Sequence, residues 1–282
     1  MILSTHGIVG SQIQSFVGLL DTYPNAAAAY SVRKLRTLYT GSAIQVRRSS
    51  DNTTQDIGFT ALGNLDTSSL TSFCSGTNGF VTTWYDQSGN ANNATQTTAA
   101  NQPQIVSSGS VLLLNSKPRL LFDGSNDKFE FTEISGVNGM SLVSIHKFNS
   151  ISSLPQPYSG SDTILAYTGG FIKDMSIGGR ESKSQIYYED GSSKFIAGTS
   201  ISTGNQYLQF GYVSTSGAGI STNGSLTTGS SGLNTSIVRA IAQDGGSGYF
   251  DGDIQEAIIY PTTQASNRTG IESNINTYYA IY

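Results

Sequence analysis

The sequence predicts an all-β fold, an antiparallel sandwich built from many short strands. Three observations point there. Only 12% of the 282 residues are charged, and 32 Gly with abundant Ser, Thr and Asn supply the polar turns that such a fold needs. From Ala43 onward apolar residues recur with a period of two, in short runs bounded by Gly, Ser and Asn. No alternation of strand and helix, which would build a parallel sheet, interrupts them.

Taken in order, residues 1–20 are apolar and punctuated by Gly, and read as a docking segment ahead of one domain spanning 21–282. Asn25 is placed to cap a helix in which Ala28, Val32, Leu35 and Tyr39 fall at i, i+4, i+7 and i+11. Arg33, Lys34 and Arg36 complement the end of its dipole, and Gly41 stops it. With Arg47 and Arg48 these cations form a basic cluster, read as a solvated helix face.

The period then changes. Ile44 and Val46 alternate with Gln45 and Arg47 in a half-buried strand, and Phe80–Tyr85 forms another. The turn Asp86-Gln-Ser-Gly-Asn90 ends it, and the polar stretch 89–110, with Pro103, reads as a long surface loop. Further strands are expected over 119–123, 128–131, 141–145, 163–167, 185–188, 207–212, 236–240 and 254–260. The Gly/Ser/Thr-rich tract 214–236 suits hairpin tips better than a tether. A short closing helix is expected near Gln264–Tyr279, after Pro261.

Composition also excludes functions. A formal net charge of −4 argues against nucleic acid, because phosphate binding needs a dominant basic field. No apolar run reaches the ~18 residues of a membrane span, so no membrane partner is expected. Cys74, the single cysteine, excludes an internal disulfide framework and reads as a small buried apolar residue. The start, Met1-Ile-Leu-Ser-Thr-His6, has no Lys or Arg before its apolar residues and no clear cleavage site, so no secretory signal is seen. An outward-looking surface without an export signal fits a virion protein, folded in a host cytoplasm and displayed on a particle.

Three segments carry a family resemblance. Ala29-Tyr-Ser-Val-Arg-Lys-Leu-Arg36, Tyr39-Thr-Gly-Ser-Ala43 and Arg47-Arg-Ser-Ser-Asp51 resemble the opening of the α-L-arabinofuranosidase B catalytic domain. Trp84-Tyr-Asp-Gln-Ser-Gly-Asn90, followed by Asn93-Ala-Thr-Gln96, resembles that family's "YDQSGNGNH" segment, with Ala91 in place of its Gly and Asn93 of its His. Farther on, Phe122-Asp-Gly-Ser-Asn126 and Tyr249-Phe-Asp-Gly-Asp-Ile254, with Glu256 and Tyr260, resemble strands of laminin G and pentraxin-type sandwiches. The resemblance implies a concanavalin A-like jelly roll with one short N-terminal and one short C-terminal helix. Chains resembling this one also occur as structural proteins of bacteriophage particles.

A retaining glycosidase needs two carboxylates flanking the scissile bond. The family's nucleophile is a Glu in a "D-M-E-N" context and its acid an Asp after two glycines. By local context Glu189, in Tyr187-Tyr-Glu-Asp-Gly191, and Asp244, in Gln243-Asp-Gly-Gly246, are the candidate catalytic pair; both also fit ordinary turn residues. The family's adjacent cysteine pair is absent.

Asp86 has two readings, an acceptor for a sugar hydroxyl or an Asx-turn residue pinning the loop to Asn90. Trp84 could stack on a pyranose or fill the core, and Asn90 completes this candidate carbohydrate-binding set. Asp123, Asp127 and Asp251 are candidate ligands for calcium; no other cofactor is expected. His6 and His146 lack metal-ligand spacing, and His146, ending an apolar strand, reads as structural.

The sequence thus points first to a non-enzymatic or vestigial lectin-like module on a phage particle, a fibre or decoration subunit. Its expected partners are a glycan or cell-surface polysaccharide, other virion proteins and further copies of itself. The rivals are a retaining α-L-arabinofuranosidase and a purely architectural virion protein.

Overall fold

Most of the expected strands form, joined by several that the period did not reveal. The protein is described from a computed structural model, over residues 16–151, 163–166, 175–189, 193–230, 235–243 and 248–282. The N-terminal third carries β1 (Ala28–Ser31), β2 (Ile44–Arg48), β3 (Thr54–Ile57), β4 (Gly79–Trp84), β5 (Ala94–Thr95), β6 (Gln104–Ser107) and β7 (Ser110–Val111). Next come β8 (Leu113–Leu114), β9 (Lys117–Pro118), β10 (Leu120–Asp123), β11 (Phe129–Val137), β12 (Gly139–Phe148), β13 (Thr163–Ala166), β14 (Met175–Arg180) and β15 (Lys183–Glu189). The last are β16 (Ser193–Ser200), β17 (Gln206–Ser214), β18 (Gly217–Thr222), β19 (Ser225–Gly229), β20 (Thr235–Ile241) and β21 (Asp251–Tyr260). Helices α1 (Leu19–Thr22), α2 (Thr67–Phe73) and α3 (Arg268–Tyr279) complete the set, and none is long and apolar enough to cross a membrane.

The strands build an antiparallel β-sandwich. One layer runs β19-β18-β17-β12-β21, and the far edge of β21 is shared by β10 at Asp251–Ile254 and β1 at Glu256–Ile259. The other runs β16-β15-β14-β13-β20-β11 and continues through β5 to β4, β2 and β3. Strand β6 pairs with both β10 and β4 and so stitches the layers together. Face to face, β18 packs on β15 and β16, β17 on β14, and β12 on β20.

The interface is tight at Gly211 of β17. A Cβ there would lie 2.5 Å from Cγ2 of Ile177 and 3.0 Å from Cδ1 of Ile186. Leu142, Ile220 and Ile241 share this fully buried core. A second body of rings joins Tyr30, Trp84, Phe129, Phe122, Phe250 and Phe148, with centroid separations of 5.5–6.3 Å along the chain of contacts.

The expected helix over Asn25–Tyr39 does not form. Asn25 takes a left-handed backbone (φ 68°) rather than a capping one, and Ala28–Ser31 pair with Ile259–Glu256 as a strand buried on both faces. Apolar spacing fitted a helix, but the open edge of β21 offered a full ladder of hydrogen bonds and burial for Tyr30, Val32 and Leu35. The basic cluster is likewise no helix face. Arg33 is buried against Glu256, Arg36 donates to the Ser88 carbonyl, Arg47 binds Gln102 and Asn52, and Arg48 pairs with Asp51.

Two loop expectations are also revised. The stretch 89–110 contains β5 and β6, which join sheets rather than run over the surface. The tract 214–236 is mostly strand, in β18 and β19, with tight turns between. The closing helix stands where expected, as α3, and Cys74 is free and buried. Residues 1–15 of the expected docking segment lie outside the described residues; Leu19 and Leu20, at its end, are buried in the core.

Candidate active site

The segment Trp84–Asn90 is built inward. Asp86 is only 3% exposed and accepts the N–H of Ala29 at 2.8 Å, of Ser88 at 2.8 Å and of Asn92 at 3.1 Å. Its second oxygen also takes the Ser88 hydroxyl at 2.7 Å. Gln87, fully buried, accepts the Leu35 N–H at 2.7 Å and donates to the carbonyls of Ser31 and Arg33 at 3.1 and 3.0 Å. Asn90 donates to the carbonyls of Ala26 and Ala27 at 3.0 and 3.1 Å.

Together these side chains bond the N–H groups of Ala29 and Leu35 and the carbonyls of Ala26, Ala27, Ser31 and Arg33, complementing the backbone bonds of the same stretch to 63–65 and to β21. The sugar-binding expectation for Asp86, Trp84 and Asn90 is therefore corrected. Asp86 and the Asn90 amide nitrogen are spent on the chain itself, and Trp84, with no exposed surface, packs between Tyr30 and Phe129. No ring face is left for a ligand.

The three candidate calcium ligands do not converge. Asp123 and Asp251 are register partners on β10 and β21, but each is engaged elsewhere. One Asp123 oxygen takes the N–H groups of Ser125 and Asn126 at 2.8 and 3.2 Å, while Asp251 accepts from Asn149 at 3.2 Å. Asp127 turns inward to accept the Asp123 N–H at 3.1 Å, beside a pocket of about 320 Å³. Burial, and then the Asp123 charge, push its carboxyl up to about 7. Among the described residues no group of three or more acidic, His or Cys side chains is placed to hold a metal.

Glu189 ends β15, where its backbone pairs with Ser193 of β16. Its side chain lies outside the described residues, and so does the whole of Asp244. The strand leading to Glu189 is regular: Ser184, Ile186 and Tyr188 are buried, while Gln185 and Tyr187 are partly exposed on the other face. Tyr188 donates its hydroxyl to the Ser230 carbonyl at 2.7 Å, and Phe195, paired with Tyr187, is 57% exposed.

Strand register constrains the pair. Ile241, Leu165, Ile177 and Ile186 lie in one row across β20, β13, β14 and β15. Beyond that row β15 continues to Glu189, whereas β20, running the opposite way, leaves the sheet on the other side. Three interstrand spacings, roughly 14 Å, separate the two strands.

Buried acids that sequence reasoning missed prove to be structural. Glu256 is held by Arg33, Ser31 and Tyr279. Asp253, also fully buried, meets Arg119 and, at 2.7 Å, Lys147. His146 is wholly enclosed beside Ser144, and burial lowers its pKa to about 3. The signal for Glu256 was available, an acid amid the apolar run Ile254–Tyr260, but its partner lay 223 residues away.

Comparisons with known proteins match this architecture. The family described as alpha-L-arabinofuranosidase B, catalytic, matches residues 21–112. A probable alpha-L-arabinofuranosidase B of Aspergillus flavus is 41% identical over 96 residues, covering 32% of this chain and 19% of that protein. Alpha-L-arabinofuranosidase B of Aspergillus oryzae matches with the same identity and coverage. The matched region thus spans about a fifth of the length of these curated relatives.

Among solved structures, a GH54 α-L-arabinofuranosidase soaked with a cyclic sulfate inhibitor superposes with a TM-score of 0.68 at 18% identity, over 89% of this chain and 62% of that one. An arabinofuranosidase complexed with arabinofuranosyl-α-1,2-xylobiose gives a TM-score of 0.68 at 19% identity, with the same coverage. The fold is therefore shared with these enzymes. The expectation of a lectin-like fibre or decoration subunit on a phage virion is overturned, and its virion localisation with it: these relatives are fungal glycosidases. The match over 21–112 contains Trp84, Asp86 and Asn90 and stops short of Glu189 and Asp244.

Proposed function

We propose that this chain is a retaining glycoside hydrolase of the α-L-arabinofuranosidase type, with Glu189 as nucleophile and Asp244 as acid/base. The observation that carries the reading is the 41% identity to fungal arabinofuranosidase B through the segment whose buried side chains hold β1 to the sandwich.

The chemistry asked of the two carboxyls is a double displacement. Protonated Asp244 gives its proton to the glycosidic oxygen as the bond from that oxygen to the anomeric carbon breaks. The Glu189 carboxylate attacks the same carbon and forms a glycosyl ester, and the alcohol departs. Asp244, now ionised, takes a proton from water, which attacks the anomeric carbon and releases Glu189 as carboxylate. One water is consumed and the anomeric configuration is kept. Trp84, Asp86 and Gln87 act only by holding the scaffold.

The test is turnover of 4-nitrophenyl α-L-arabinofuranoside and of an alkyl arabinofuranoside by the full chain. Hydrolysis by the parent, reduced by roughly 10³-fold or more in Glu189→Gln, is expected. Asp244→Asn should lose about 10²–10⁴-fold in kcat/KM on the alkyl glycoside and much less in kcat/KM with 4-nitrophenolate, which leaves without a proton, while kcat falls with both because the ester's hydrolysis lacks its base. A parent that hydrolyses neither substrate sinks the reading. Strand β20 leaves the sheet on the side away from Glu189, so Asp244 can fail alone: unchanged alkyl hydrolysis in Asp244→Asn would give the acid role to another carboxyl.

A further inference from the structure

A pocket of about 560 Å³ opens between three tight turns and the C-terminal tail, within the size range of small-ligand sites. Four amide side chains line it, those of Asn115, Asn205, Gln206 and Asn223, and no charged residue does. Left-handed backbone accounts for Asn at two of these positions, since Asn115 and Asn223 have φ of 50° and 49°. It accounts for neither Asn205 nor Gln206, nor for the way all four amides are used.

Each amide spends one polar atom on the protein. Asn115 Nδ2 donates to the carbonyls of Tyr279 and Ala280, both at 2.9 Å. Asn205 Nδ2 donates to Ser202 Oγ at 2.7 Å, and Gln206 Nε2 donates to Gln255 Oε1. Asn223 Oδ1 accepts the Leu208 N–H at 2.9 Å. These bonds fix the orientation of the four groups. Oδ1 of Asn115, Oδ1 of Asn205 and Nδ2 of Asn223 bind nothing among the described residues, whereas Gln206 Oε1, also unbonded, is buried out of a ligand's reach.

The unspent set that a ligand can reach is two acceptors and one donor, all neutral. A matching ligand presents several donors, and an anion is thereby disfavoured. A cation fits poorly too, because no carboxylate lines the pocket to offset its desolvation. Sugar hydroxyls meet both conditions, each giving an O–H and keeping lone pairs for the Asn223 amide. We infer that this pocket binds a neutral saccharide unit, at a place separate from Glu189. Tyr207 in its wall is only 8% exposed and its hydroxyl already accepts the Ser202 N–H, so no aromatic platform adds to the amides. Affinity in the millimolar range follows.

The test uses the full chain carrying Glu189→Gln, so that no sugar is consumed. Side-chain NH₂ resonances of Asn115, Asn205 and Asn223 are followed in ¹⁵N–¹H spectra during titration with methyl α-L-arabinofuranoside and with xylobiose. Saturable shifts with at least one sugar are expected, at a Kd of about 1–10 mM. Asn205→Leu and Asn205→Ala, at an exposed position, should each weaken binding about fivefold or more. Silence with both sugars, an equal response to glycerol, or variants that titrate like the parent would overturn the site. Binding here is read without turnover, so it stands or falls apart from the catalytic roles proposed above.

Discussion

Arg33 clasps Glu256 in a two-pronged ion pair, Nε to one carboxylate oxygen at 2.8 Å and Nη2 to the other at 3.1 Å, with both side chains out of water. The guanidinium lies 5.1 Å from the centre of the Tyr278 ring, and the Tyr279 hydroxyl reaches Glu256 at 3.3 Å. One pair thus ties the chain after β1 to β21 and to α3. Removing Arg33 alone leaves a buried, uncompensated carboxylate. Arg33→Ala should cost about 3–5 kcal/mol by urea unfolding, while Arg33→Met with Glu256→Leu should recover much of that loss. A double variant no more stable than the single one would refute the pairing as the cause.

Asp86 to Ala removes the acceptor for three backbone N–H groups at once. A loss of roughly 2–4 kcal/mol is expected, with faster amide exchange at Ala29, Ser88 and Asn92. Normal protection at Ala29 in this variant would show that the carboxylate does not pin β1.

Asp127 and His146 give opposite pH slopes. Asp127 titrates near 7 in the fold against 3.8 for a free carboxyl, so the folded state holds the extra proton between these limits. Stability should therefore fall as pH rises from about 4 to 7, by no more than about 3 kcal/mol once solvent screening is allowed for, and level off above. His146 titrates near 3 against an ordinary 6.5, so the unfolded chain holds the extra proton. Its contribution is complete above about 6.5 and is lost as pH falls toward 3. From pH 4 to 6.5 the two slopes oppose each other in the parent, so Asp127→Asn should gain stability steadily over that range; a profile unchanged between pH 4 and 7 would remove Asp127 as the source.

Gly211 to Ala should destabilise the sandwich by about 1–3 kcal/mol, because its new methyl meets Ile177 and Ile186. Ile186→Val in the same protein, which removes the Cδ1 lying 3.0 Å away, should restore part of the loss. An alanine variant as stable as the parent would mean the sheets can part there without strain.

Trp84, the single tryptophan, should emit as a fully buried indole and resist quenching by acrylamide. Arabinosides should leave its emission unchanged, since its faces are taken by Tyr30 and Phe129. Sugar-dependent quenching would reopen Trp84 as a binding residue.

Local pattern made β2, β4, β12, β17 and β21 legible, because each alternates or clusters apolar residues between turn formers. It misread Ala28–Leu35, whose spacing fits a helix as well as a strand buried on both faces. It also passed over β16, β18 and β19, where Gly and Ser fill strand positions; a Cβ on Gly198 would sit 2.5 Å from Oγ of Ser184 on the neighbouring strand and 3.0 Å from Cγ2 of Ile220 on the facing sheet. At the candidate sites, residue type alone could not tell an acid that faces a ligand from one that faces the backbone. Asp86 proved to be of the second kind, and Glu256 and Asp253 face buried cations instead.

Alternating hydrophobicity, scarce charge and abundant turn formers determined by themselves that this chain folds as layered antiparallel sheets, since those properties act over a few neighbouring residues. Tertiary structure decided that residues 28–31 become a strand, that Arg33 goes inside, and that Trp84 and Asp86 serve the scaffold. Those outcomes depend on partners far away in sequence, Ile259, Glu256, Phe129 and Ala29 among them, whose arrival no local pattern encodes.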